Sequence, residues 1–144
     1  MEGRLSDSSL ASWQVGCLLL LFFVFLQYLL DAVPAYAFSR LGLDRGLLTV
    51  ALWILPVGAA YLASRYSSKY GWLLGLSYSL MLPVFAVVIH SVFIALGTNV
   101  DFRGRAGLMV VFQVYFVLGS LASIVGTLVG RIQISRKNSR DDRR

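Results

Sequence analysis

Side chains able to do chemistry are scarce in this sequence, which holds one histidine, His90, one cysteine, Cys17, and seven carboxylates. With no acidic pair inside its apolar segments, the chain cannot assemble the usual zinc or di-metal constellations by itself. A lone cysteine closes no intramolecular disulfide and excludes thiol oxidation that needs a cysteine pair. Cys17 reads as a small buried hydrophobe, because a lipid anchor would place the cysteine after the apolar run rather than inside its start. There is no glycine-rich phosphate loop with its lysine, and no serine sits in a nucleophile elbow of glycines. The expectation is a protein without catalytic residues, cofactor or metal, and not an enzyme.

Charge is the next scarcity. Only 14% of the 144 residues are charged, against 58% hydrophobic, and the mean hydropathy is +0.74. A soluble domain is roughly half apolar and a quarter charged, so lipid is the expected solvent. Four apolar segments, at 13–38, 47–64, 71–97 and 106–130, are long enough to cross or nearly cross a hydrocarbon core of about 30 Å at about 1.5 Å per residue. None alternates apolar and polar residues, which excludes barrel strands. The fold class expected is an all-α integral membrane protein, a four-transmembrane-helix up-down bundle with short loops. The domain runs over 13–130, between an N-terminal tail at 1–12 and a basic tail at 131–144. Short connections make neighbouring helices antiparallel.

Aromatic side chains mark water boundaries at Trp13, Tyr66, Tyr70, Trp72 and Phe102. Pro34, Pro56 and Pro83 lie in or near spans and should kink them, since each removes a backbone donor and crowds the preceding turn.

The net charge of +6 is concentrated in the tail, where Arg131, Arg136, Lys137, Arg140, Arg143 and Arg144 face only Asp141 and Asp142. With an even number of spans both termini and the central loop share a side, which carries nine Lys and Arg against four (Arg40, Arg45, Arg103, Arg105) on the other. The positive-inside rule then puts both termini in the cytoplasm, a result that depends on the tail. The tail cations should fix topology and contact anionic headgroups at about 1 kcal/mol each near the surface. A protein or RNA partner is the alternative, although the tail lacks the aromatic residues that stack on bases, and no nucleic-acid partner is expected. The stretch at 15–30 followed by Ala35-Tyr36-Ala37 also has the outline of a cleavable signal peptide, but Glu2 and Asp7 outweigh Arg4 before it.

Membrane helices associate where small residues let backbones approach or where polar side chains bond across. Ala122, Gly126 and Gly130 follow at four-residue spacing in the fourth segment, with Gly119, Ser123 and Thr127 on an adjacent face. Gly71, Gly75 and Ser79 repeat the spacing in the third. These residues are expected to pack the third and fourth helices together near the cytoplasmic side, with a homodimer through one such face as the alternative.

Two ionisable residues fall inside spans, Asp31 and His90, and such residues commonly mark a functional site. In the expected topology they lie about 10 Å below the outer boundary, at the depth of Gln113. Gln27 sits one turn below Asp31 on the same face, with Thr49 shallower and Ser91 able to join. Three readings stay open: a proton-responsive Asp31–His90 pair bordering an outward cavity, a static clasp, or an interfacial Asp31 with Pro34 ending the span early. The functional expectation is a non-enzymatic accessory, assembly or scaffold component of a membrane complex, with the bilayer, anionic headgroups and itself or another membrane protein as partners. The alternative is a small proton-coupled transporter or ligand-binding membrane protein using Asp31 and His90.

Overall fold

The computed structural model describes residues 2–33, 35–66, 70–97 and 104–141, and among them every regular element is a helix. Six helices follow in order: α1 (Glu2–Ala32), α2 (Ala35–Arg40), α3 (Arg45–Leu52), α4 (Ile54–Tyr66), α5 (Gly71–Ala95) and α6 (Gly104–Asp141). Four stretches are long and apolar enough to cross a membrane: Ala11–Ala32, Arg45–Tyr66, Gly71–Ala95 and Ala106–Ser135. The shortest have 22 residues, about 33 Å of helix against a core of about 30 Å.

The boundaries differ from the sequence expectation at the prolines. The first apolar segment does not continue to residue 38, since α1 stops at Ala32 and the short α2 follows. The residue before a proline is pushed out of the helical region, and Val33, which precedes Pro34 in sequence, is the first residue past the helix. The second span is longer than its apolar run, from Arg45 to Tyr66, but is divided at Trp53. Pro56 has no N–H for the carbonyl four residues back and its ring crowds that carbonyl, and α3 ends at that residue, Leu52. Pro83, by contrast, lies within an unbroken α5.

The connection from α2 to α3 is built from two local devices. Gly42 adopts φ +66° just past α2, and Leu43 N–H bonds the Phe38 carbonyl at 3.0 Å, the six-to-one closure of a Schellman motif in which glycine carries the left-handed residue. Asp44 then caps α3, its carboxylate accepting from Leu47 N–H at 3.1 Å, which satisfies one of the orphan donors of the first turn.

The core lies where α1, α4, α5 and α6 meet. Leu20, Phe23, Val24 and Tyr28 of α1 pack with Ala59, Ala60 and Ala63 of α4 and with Tyr78, Leu82, Ala86 and Phe93 of α5. The small residues of α4 let its neighbours close in, and α3 contributes no buried residue at all. The outward surface is apolar, as lipid contact requires: Leu18, Leu47, Val50, Ile54, Leu80 and Val88 are all exposed.

Candidate functional site

The residues expected to form one polar layer fall into three separate contacts, with Gln113 apart from them. His90 is 1% exposed. Its Nδ1 lies 2.8 Å from the Tyr28 hydroxyl, a buried contact in which the imidazole tautomer decides which partner donates. The rings sit 5.4 Å apart, and Phe93 flanks Tyr28 at the same centroid distance. Asp31 is exposed, its side chain 58% accessible, and it forms an ion pair with Arg45 at the first turn of α3. Placed at the end of α1, one residue before the helix stops, it has left the packed part of the bundle.

Gln27 and Thr49 are brought together, through the Thr49 main chain rather than its hydroxyl. Gln27 Nε2 donates to the Thr49 carbonyl at 3.0 Å. The break in the second span explains why that carbonyl needs a donor. Trp53 N–H turns back to Val50 and Ala51 instead of extending the ladder to Thr49, and a carbonyl left without its i+4 donor in an apolar setting costs on the order of 1–3 kcal/mol unless something replaces it. Gln27, buried at 6% exposure, supplies the replacement. Gln113 joins none of these contacts and is exposed on α6. Ser91, also exposed, donates to the Val87 carbonyl of its own helix.

Around the break an aromatic group holds α3 and α4 to the bundle. Trp53 meets Phe23 edge-on at 4.8 Å and tilts against Tyr115 at 6.0 Å, and Phe23 meets Tyr115 at 6.3 Å. Such pairs contribute about 0.5–1.5 kcal/mol each beyond the area they bury.

The opposite end of the bundle holds two further polar clasps. Trp13 Nε1 donates to Ser77 Oγ at 3.1 Å, and Tyr78 donates to the Trp13 carbonyl at 2.8 Å, so α1 and α5 are tied at both ends. Between α4 and α6, the Tyr61 hydroxyl donates to Gln133 Oε1 at 2.6 Å and accepts from Arg65, whose guanidinium also lies over the Tyr61 and Tyr66 rings.

The glycines expected to pack helices sit at close approaches, where α4, α5 and α6 all touch one another. A Cβ on Gly126 would strike the Val57 carbonyl, and one on Gly130 would strike Ser64 Oγ. On Gly75 it would meet Thr127 Oγ1, and on Gly71 it would come 2.5 Å from the Ser64 carbonyl. Gly119 faces the Leu82 side chain, 2.9 Å from a Cβ position, and Ala122 is buried. The contacts of Gly126 and Gly130 are thus with the second span, whereas the sequence spacing pointed to the third. Ser123 and Thr127 are buried on the same side of α6.

Of the basic tail, Arg131 is half-buried in α6, which runs on through Asp141 and so carries Arg136, Lys137 and Arg140 on a helical backbone. The side chains of those three, and Arg143 and Arg144 altogether, lie outside the described residues, as do Pro34 and Phe102.

Reading from the sequence missed Tyr28, Arg45, Tyr61 and Gln133 as polar partners. Tyr28 was discoverable, because Leu20, Phe23, Val24, Gln27 and Tyr28 recur at helical spacing on one face. Arg45 had been counted only as a loop cation, and its pairing depends on a helix start that Asp44 alone signals.

Four helices of this length and composition, joined by buried polar clasps, are the mark of a multi-pass helical membrane protein. Beyond that class the chain stands apart: no protein-family model, no curated protein and no solved structure matches it.

Proposed function

We propose that this protein is a non-enzymatic accessory, assembly or scaffold component of a membrane complex, an up-down four-helix bundle with both termini in the cytoplasm. The observation that carries the reading is that the two ionisable residues expected inside spans are each engaged helix to helix, His90 in a buried contact with Tyr28 across α1 and α5, and Asp31 in an exposed ion pair with Arg45 across α1 and α3. Intramembrane polar groups used this way hold helices in register.

The up-down course is supported by which residues meet. Trp13 meets Ser77 near the starts of the first and third spans, and Tyr28 meets His90 near their ends, as in two helices running the same way. Gly75 lies by Thr127 and Leu82 by Gly119, the reversed order of two helices running opposite ways. The cytoplasmic termini rest on the six tail cations, which also suit anionic headgroups.

One observation favours a second reading, a small proton-coupled transporter or ligand-binding protein: His90 is an ionisable residue buried within a span, and such residues commonly mark a functional site. Purified protein in liposomes under an imposed pH gradient separates the two. Under the accessory reading proton flux matches empty liposomes, and native mass after mild-detergent extraction exceeds that of this chain and its self-oligomers. Flux that Asp31→Asn or His90→Gln abolishes at unchanged protein level overturns it in favour of transport.

A further inference from the structure

The outer face of α6 carries a pattern that its packing inside the bundle does not use. Ala106, Gln113 and Ser120 recur at seven-residue spacing, and Val110, Val117 and Ile124 recur at the same spacing four residues on. Together they form an a/d heptad seam: small or polar at d, β-branched at a. Ala106, Val110, Gln113, Val117 and Ile124 are exposed and Ser120 is half-buried. The inward side of the helix is a different one, with Val111, Gly119, Ala122 and Gly126 buried. A strict 3.5-residue apolar repeat is the signature of left-handed helix pairing. Midway along it lies Gln113, which among the described residues has no hydrogen-bond partner although it sits in a stretch long and apolar enough to cross a membrane.

We propose that this seam is the interface of a parallel homodimer, with Gln113 bonded to Gln113 of a second copy. The occupant follows from depth and chemistry. Two copies inserted the same way place their α6 helices parallel, so each a and each d position meets its own counterpart at one depth about a two-fold axis. A carboxamide both donates and accepts, and is satisfied by another copy of itself at that depth. The small Ala106 and Ser120 one heptad to either side let the helices approach closely enough for the amides to meet. An amide facing lipid leaves its polar atoms unsatisfied, so pairing is favoured over exposure. The dimer does not depend on the accessory reading and would hold equally for a transporter.

The test uses the full chain in a Cys17→Ser background, with single cysteines placed along α6 and oxidised in the membrane. Disulfide yield is expected to peak at Ala106→Cys, Val110→Cys and Val117→Cys, all with Gln113 intact, and to be low at Val114→Cys, which is exposed on another face. In parallel, energy transfer between labelled copies in detergent should show Gln113→Leu weakening the dimer roughly 3- to 30-fold, the range interhelical polar bonds give in membranes, with Gln113→Asn partly restoring it. A monomer of unchanged helicity overturns the proposal. So does a dimer that crosslinks off the seam, a seam dimer indifferent to Gln113→Leu, or crosslinking at these positions to a different protein.

Discussion

Tyr28 and His90, 62 residues apart in sequence, meet at 2.8 Å between the hydroxyl and Nδ1, and with Trp13 and Ser77 at the other end they tie α1 to α5 along the length of the bundle. Both side chains are buried. Removing one leaves the other's polar atom in an apolar core, which costs more than the bond itself is worth.

Tyr28→Phe should therefore destabilise the bundle by about 1–2 kcal/mol, near the upper end for interhelical bonds in membranes. A double-mutant cycle with His90→Phe isolates the pair, with an expected coupling of about 0.5–1.5 kcal/mol. Reversible unfolding in mixed micelles measures it. Additive effects would mean that the two residues act independently and that the clasp carries no energy.

Asp31 and Arg45 should behave differently because their side chains are 58% and 37% accessible. Solvent screens such a pair, and exposed pairs are worth about 0–1 kcal/mol. Asp31→Asn is expected to change stability by less than about 0.5 kcal/mol in the same assay and to leave protein level unaltered. A loss comparable to that of Tyr28→Phe would mean that the aspartate is held in a far drier environment than its exposure indicates.

Thr127 makes the opposite expectation. Its hydroxyl is the one buried side-chain polar atom without a hydrogen-bond partner among the described residues, and it presses against Gly75. Packing of this kind does not replace a conventional hydrogen bond. Thr127→Val keeps the branched shape and removes the unsatisfied oxygen, so stability should hold or rise by up to about 1–2 kcal/mol. A fall in unfolding midpoint would assign the hydroxyl a partner at this crossing.

How much of this was legible in the sequence follows from where each signal resides. Span number and the small-residue crossings are local properties, since apolar length and four-residue spacing are read along one helix. Gly126 and Gly130 were marked for close packing on that basis, yet the spacing could not say which helix would arrive. The structure brings the carbonyl face of α4 against them, because the alanines at 59, 60 and 63 leave room there. The polar layer was harder. Depth alone put Asp31, His90 and Gln113 on one level, but hydrogen bonding also depends on rotation about each helix axis. Rotation sends Gln113 outward and turns Tyr28 toward His90. The Gln27 contact could not be read locally at all, since it answers a carbonyl that the Trp53 break leaves open in the second span.

The glycine crossings give the sharpest paired experiment, because the chain carries its own control. A methyl at Gly126 would overlap the Val57 carbonyl and crowd Ala60 and Tyr61, all on the facing helix. Backbone cannot rotate aside as a side chain can, so α4 and α6 must separate along the crossing, and overpacking of this kind costs about 1–3 kcal/mol. At Gly58 a methyl would meet nothing within 4 Å, so Gly58→Ala removes only the flexibility of glycine in a helix and should be neutral or stabilise by up to about 1 kcal/mol. Gly126→Ala should thus lower the unfolding midpoint in micelles while Gly58→Ala leaves or raises it, and Gly126→Leu should fail to accumulate folded protein. Equal effects of the two alanines would mean that α4 and α6 do not meet through their backbones at this point.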